Sequence, residues 1–147
     1  MKIHPDFRDF IHALNNNHVE YVLVGSFALA YHGHPRATGD MDVWIRPTKQ
    51  NASAVLKAVN DFGFEKVNVT EEDFLSGKII QLGFPPVRID IITILDGLQN
   101  DEIWGERQKG KFGDLDVAYI GREAFVKNKR AIGRHKDLAD LELLGEL

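Results

Sequence analysis

Val22-Leu23-Val24-Gly25-Ser26, followed after a loop by Gly39-Asp40-Met41-Asp42-Val43, is the stretch from which the fold can be read. Tyr21 to Val24 is a short, mostly apolar run with strand character, starting near Glu20. Gly25 interrupts it, and Ser26 to Tyr31 reads as a helix. A glycine at a strand-to-helix junction lets a ligand approach the backbone. The first turn of the helix offers free N–H groups and a positive dipole end, which suit a phosphate, and Ser26 adds a hydroxyl. Taken alone, the pair also fits a plain turn with Ser26 as helix cap. Gly33 to Gly39 is a loop by composition, and the next strand runs to Ile45, stopped by Pro47. Strand side chains alternate between faces, so Asp40 and Asp42 share one face while Met41 and Val43 point into the core. Two neighbouring acids repel each other unless a cation neutralises them. Magnesium takes hard oxygen ligands, commonly one or two carboxylates together with substrate phosphates.

A third acid, Asp90, lies in Val87-Arg88-Ile89-Asp90-Ile91-Ile92-Thr93, where five of seven residues are apolar or β-branched. An aspartate in such a strand needs a partner. If this strand lies beside the Asp40 strand, the three carboxylates converge, and two metals ~4 Å apart can clamp the attacking and leaving oxygens. Asp-x-Asp also occurs by chance at solvated strand ends, and Asp114-Leu115-Asp116 reads as just that.

Working outward, Phe7, Phe10, Ile11 and Leu14 sit at helical spacing, so a first helix spans Pro5 to Asn16. Thr48 or Asn51 caps a helix carrying Ala52, Val55, Leu56 and Val59 on one face. Thr70-Glu71-Glu72-Asp73 resembles a capping box that starts a short helical turn. Lys78–Leu82 and Val87–Thr93 read as strands around a Gly83-Phe84-Pro85-Pro86 turn. Asn100 to Gln108 reads as helix and Leu115 to Ile120 as strand. The chain is helical from Gly121, with a break near Gly133. This order gives an α+β domain with a small mixed sheet and one or two C-terminal helices packed on it.

The 147 residues suit one compact domain, with a core over about 18–120 and a helical tail over about 121–147. The absence of cysteine excludes disulfides, thiolate metal sites and a cysteine nucleophile, and fits a reducing cytoplasm. Zinc is disfavoured as well, because no His-x-x-x-His helix accompanies His32 and His34. The N-terminus lacks the apolar run of a signal peptide, and no apolar stretch is long enough to cross a bilayer. A net charge of −4 argues against a dedicated nucleic-acid binder.

Taken together, strand, Gly25-Ser26, helix, loop, Asp40-Met41-Asp42 and a later Asp90 resemble the nucleotidyltransferase superfamily related to DNA polymerase beta. The match covers roughly residues 20–95. The tail from Lys127 to Leu141 looks like the end of small bacterial members akin to the abortive-infection and toxin–antitoxin nucleotidyltransferases. The resemblance implies a nucleotidyltransferase-like fold and two magnesium ions, with manganese as a substitute, on Asp40, Asp42 and Asp90. Asp90 would also serve as general base, and Gly25 and Ser26 would contact the β- and γ-phosphates of a nucleoside triphosphate such as ATP. The implied reaction is in-line attack of an acceptor on the α-phosphate with release of pyrophosphate.

Arg36 and Thr38 precede the acid pair; Arg36 either reaches a phosphate or stays a solvated loop arginine. Arg88 alternates with Asp90 and either binds substrate or pairs with an acid, the pair being favoured. Lys127 and Arg130, three apart on the tail helix, share a face that either contacts triphosphate or an RNA acceptor or is simply solvated. Lys136, Asp137 and Asp140 are expected to pair with neighbours, while Leu138 and Leu141 pack. An active enzyme acting on a protein hydroxyl, a tRNA end or a small molecule competes with an antitoxin-like or catalytically silent nucleotide-binding module. With little chain after residue 121, the acceptor surface would come from a partner protein or a second copy. A structural or nucleic-acid-binding domain would leave the three acids idle.

Overall fold

The structure, a computed structural model, describes residues 4–35, 39–64, 68–84 and 86–147. Arg36, Thr38 and Pro85 therefore lie outside the described residues. The elements follow the order α1 (Pro5–Asn16), β1 (Tyr21–Val24), α2 (Gly25–Tyr31), β2 (Asp40–Ile45), α3 (Lys49–Val59), β3 (Ile80–Phe84), β4 (Val87–Ile92), α4 (Asn100–Gly105), β5 (Gln108–Phe112), β6 (Leu115–Tyr119), α5 (Arg122–Ile132) and α6 (His135–Leu143). The strands form one six-stranded mixed sheet in the order β3-β4-β2-β1-β6-β5.

Local chemistry accounts for the boundaries. Pro5 opens α1, where its missing N–H costs nothing, and His4 Nδ1 accepts the Asp6 N–H at 3.1 Å. Thr48 caps α3 by accepting the Asn51 N–H at 3.2 Å. Asn51 itself turns inward, accepting the Glu20 N–H and donating to the carbonyls of Glu20 and Arg46. That amide ties the edge of α3 to the start of β1 and the end of β2. The expected box at Thr70 forms reciprocally with Asp73, at 2.8 and 3.3 Å, and opens a single 3-10 turn, Asp73–Leu75. Gly133, at φ 69°, separates α5 from α6.

The sheet is packed on both faces, so central β1 is buried throughout. One face carries Leu23, Met41, Val43, Ile89 and Ile91 against α1 and α3. The other carries Val22, Val24 and Trp44 against Phe125, Leu141 and Ile103 of the later helices. Trp44 Nε1 donates to the Thr93 carbonyl at 3.1 Å, satisfying the one polar atom of this fully buried ring.

One element departs from the sequence reading. The segment taken as the end of a helix at Gln108 is instead β5, and α4 stops at Gly105. Gln108-Lys109-Gly110-Lys111-Phe112 has no apolar alternation because β5 is an edge strand with mostly exposed residues. Its register comes from pairing with apolar β6 across the Gly113-Asp114 turn. The β3 strand also starts two residues later than expected, at Ile80. In β6 the second Asp-x-Asp is solvated, as expected: Asp114 pairs with Arg8 and Asp116 with Lys111.

Candidate active site

Alternation and register bring the acids together. In parallel pairing, β2 meets β4 with Asp42 opposite Asp90 and Asp40 opposite Arg88. Antiparallel pairing of β1 with β2 sets Val24 opposite Asp42. The last residue of β1, which leads directly into Gly25-Ser26, therefore shares a cross-strand row with two carboxylates from two different strands. Neighbouring strands are ~4.8 Å apart, so these groups are within direct electrostatic reach of each other.

Gly25 locks the turn against the acid. It has φ +62°, a left-handed conformation natural to glycine, and a Cβ built there would collide with the Asp42 carboxylate oxygen. The Gly25-Ser26 turn thus rests directly on the Asp42 carboxylate. Gly25→Ala is expected to lose at least about 1–3 kcal/mol from the strained φ alone, and to displace Asp42 as well. A thermal melt together with nucleotide titration checks this; an unchanged melting point and unchanged affinity would refute it.

Electrostatics confirm the crowding. Asp42 is pushed up to about 6, first by burial and then by the charges of Asp90 and Asp40. Lys136 and Arg88 oppose the rise. Asp90, only 8% exposed, is held bidentately by Arg88, whose Nη2 and Nε donate at 2.9 and 3.2 Å. The pairing reading of Arg88 is therefore the observed one. Among the described residues, no three carboxylates or imidazoles close around a single point. The donor set still suits a hard divalent cation, because half-buried Asp40 and Asp42 stand beside buried Asp90, three carboxylates against the one guanidinium of Arg88.

A cleft opens at the Val24–Asp42 end of this row, with neither Asp40 nor Asp90 in its lining. It is lined by Gly25, Ser26 and Asp42 on one side and by Asn128, Lys129, Arg134 and Lys136 of the tail on the other. Lys127 and Arg130 do not line it. They occupy the outward face of α5, where Lys127 pairs with Glu102 at 3.0 Å and Arg130 donates to the Glu146 carbonyl at 2.7 Å. The basic residues that line the cleft are instead Lys129, Arg134 and Lys136. A sequence signal for them existed. Phe125, Asn128, Lys129 and Ile132 are spaced i, i+3, i+4 and i+7, so an amide and an ammonium sit on the buried stripe of α5. Lys129 is 7% exposed and is gripped by Asp137 at 3.2 Å and Asp140 at 3.0 Å. Arg134 Nε donates to Asp137 at 2.7 Å.

The chain is thus an α+β domain, a six-stranded mixed sheet with helices on both faces, that carries Asp40 and Asp42 at the start of β2 and Asp90 within β4. The chain matches the crystal structure of a protein from Thermotoga maritima described as a "putative nucleotidyltransferase", with a TM-score of 0.62 over 99% of this chain and 97% of that one. Sequence identity is 18%, so the likeness is one of fold. No family model matches the chain, and no curated protein does. Among the described residues, no helix is long and apolar enough to cross a membrane.

Proposed function

We propose that the chain is a metal-dependent nucleotidyltransferase that moves a nucleoside monophosphate from a triphosphate to an acceptor hydroxyl. The observation that carries this reading is the row Val24–Asp42–Asp90, with Gly25 packed on the Asp42 carboxylate. It joins the Gly25-Ser26 turn to paired acids in one piece of sheet.

In this reading the β- and γ-phosphates sit at Gly25-Ser26, facing Lys129 and Lys136 across the cleft. The Lys136 ammonium offsets part of the polyphosphate charge, while that of Lys129 is shared with Asp137 and Asp140. Asp40, Asp42 and Asp90 would hold magnesium, which supplies positive charge to the oxygens around the transferred phosphorus. The acceptor oxygen bonds to the α-phosphorus as the bond to the bridging oxygen of the β-phosphate breaks. Pyrophosphate leaves, and the acceptor's proton passes to a carboxylate of the row and on to water. Arg88 fixes the Asp90 carboxylate, so the row offers a preset geometry rather than a mobile one.

The test uses triphosphates labelled at the α- or γ-position, with and without magnesium. Label from the α-position should enter an acceptor while γ-label leaves as pyrophosphate. Tight, magnesium-dependent nucleotide binding with no release of pyrophosphate across protein, tRNA and small-molecule acceptors would replace this reading with a binding module that acts through a partner.

A further inference from the structure

The cleft has two kinds of lining. Gly25, Ser26, Asp42 and the basic tail residues are polar, whereas Ile92, Leu95, Phe125 and Ile132 are apolar. Phe125, Asn128 and Ile132 are spaced three and four residues apart on α5, so they share one stripe of the helix. Asn128 therefore sets an amide between two apolar side chains of the cleft wall.

That amide is buried, at 6% exposure, and burying an amide is costly unless its polar ends are satisfied. Its Nδ2 donates to the Asp96 carbonyl at 2.9 Å. A carbonyl only accepts, so this bond fixes which end of the amide is the donor. Gly97 lets the loop come close enough: at φ +81°, a Cβ there would stand 2.7 Å from the Ala131 Cβ. The loop after β4 thus lies tightly on α5 and holds the Asn128 side chain in one orientation. Among the described residues, no group donates to Asn128 Oδ1. Among the same residues, no fully buried side-chain oxygen or nitrogen lacks a partner. Oδ1 therefore keeps some contact with solvent, and the opening that Asn128 lines is the cleft.

A fixed acceptor selects its ligand. Phosphate oxygens are acceptors too, so they are drawn to Lys136 and to backbone N–H groups rather than to Oδ1. The complement of Oδ1 is an O–H or N–H donor on a body that Phe125 and Leu95 can pack against. The nucleoside half of a nucleotide supplies both, as sugar hydroxyls and base N–H groups on rings with apolar faces.

We infer that Asn128 recognises the nucleoside, with Oδ1 accepting a hydrogen bond from a sugar hydroxyl or a base N–H and the apolar side chains around it forming the floor. This rests on the triphosphate binding proposed above, with phosphates at Gly25-Ser26 and Lys136 and the nucleoside toward Asn128. Asn128 is then a specificity-determining residue, because a ligand that lacks the donor leaves a buried acceptor unpaired.

The experiment measures equilibrium binding with magnesium, without turnover. Its probes are the ribonucleoside triphosphate that binds best, its analogues lacking the 2′-hydroxyl, the 3′-hydroxyl or a base N–H, and inorganic tripolyphosphate. One analogue should bind the unaltered protein about tenfold more weakly than the intact nucleotide, and its identity distinguishes sugar from base. Asn128→Leu should weaken the intact nucleotide by a similar factor, erase its advantage over that analogue and leave tripolyphosphate binding unchanged. Asn128→Ala serves as a second variant, and the tripolyphosphate arm reports any general damage in either. Equal loss for tripolyphosphate overturns the inference, since Asn128 would then serve the loop or the cation. An analogue series with no weak member, or a discrimination that survives in both variants, overturns it as well. If neither the triphosphates nor tripolyphosphate bind the unaltered protein, the transferase reading itself fails.

Discussion

Asp42→Asn is expected to abolish nucleotidyl transfer while leaving the protein folded and, without divalent cations, more stable than the parent. The change keeps the shape of the side chain and removes one of the adjacent charges. If Asp42 contributes about 4 kcal/mol of charge stabilisation in the transition state, the rate falls by roughly three orders of magnitude. A rate within tenfold of the parent would remove Asp42 from the chemistry.

The stability half of this expectation follows from linkage. Asp42 titrates near 6 in the folded chain, against 3.8 for the unperturbed group, because burial comes first and Asp90 and Asp40 add to it. A raised carboxyl pKa means the folded state holds this proton more tightly than the unfolded state. Stability is therefore highest below the unfolded value and is lost as pH rises through the window between about 4 and 6. The cost at neutral pH is on the order of 2 kcal/mol, since the group is only half-buried. Asp42→Asn should recover that cost and flatten the profile in the window. Magnesium should raise the melting temperature of the parent at pH 7.5 and have no such effect on the variant. A magnesium response of equal size in both proteins would mean the cation binds elsewhere.

The acid end of this site was legible because strand alternation is strict. Asp40 and Asp42 had to share a face, and Asp90 stood out as an aspartate in an apolar strand. The pairing that makes them neighbours was the missing step, and parallel β2–β4 register supplies it. Gly25 was legible as a close approach, but not as an approach to Asp42, because sequence does not show which side chain lies over a turn. β5 was invisible for a different reason. Its residues are mostly solvated, and its strand conformation is imposed by a neighbour rather than by its own pattern. The tail was hard to sort because of its density of charge: five basic residues between Lys127 and Lys136 look alike in sequence. Helical geometry separates them, since Lys127 and Arg130 turn outward and Lys129 turns inward to two carboxylates.

Lys129→Met is the substitution expected to damage stability most. Lys129 Nζ sits between Asp137 and Asp140, which are 0% and 1% exposed. Removing the ammonium takes from both buried carboxylates a cation 3.0–3.2 Å away, while Arg134 stays on Asp137. Breaking a buried ion pair from one side costs about 3–5 kcal/mol, because a buried charge loses part of its compensation. Because α6 packs back on α5 through this network, the loss should appear as a lower denaturant midpoint for the whole domain. Asp140→Asn combined with Lys129→Met should recover much of it, since the buried negative charge is then reduced along with the positive one. A single-variant loss below about 1 kcal/mol would show that water or a rearranged Lys136 satisfies Asp140. The same network points Lys129 at the cleft, so the double variant separates two roles. If it is stable but binds triphosphate weakly, Lys129 serves the phosphates; if it is stable and binds normally, Lys129 serves only the packing of the tail.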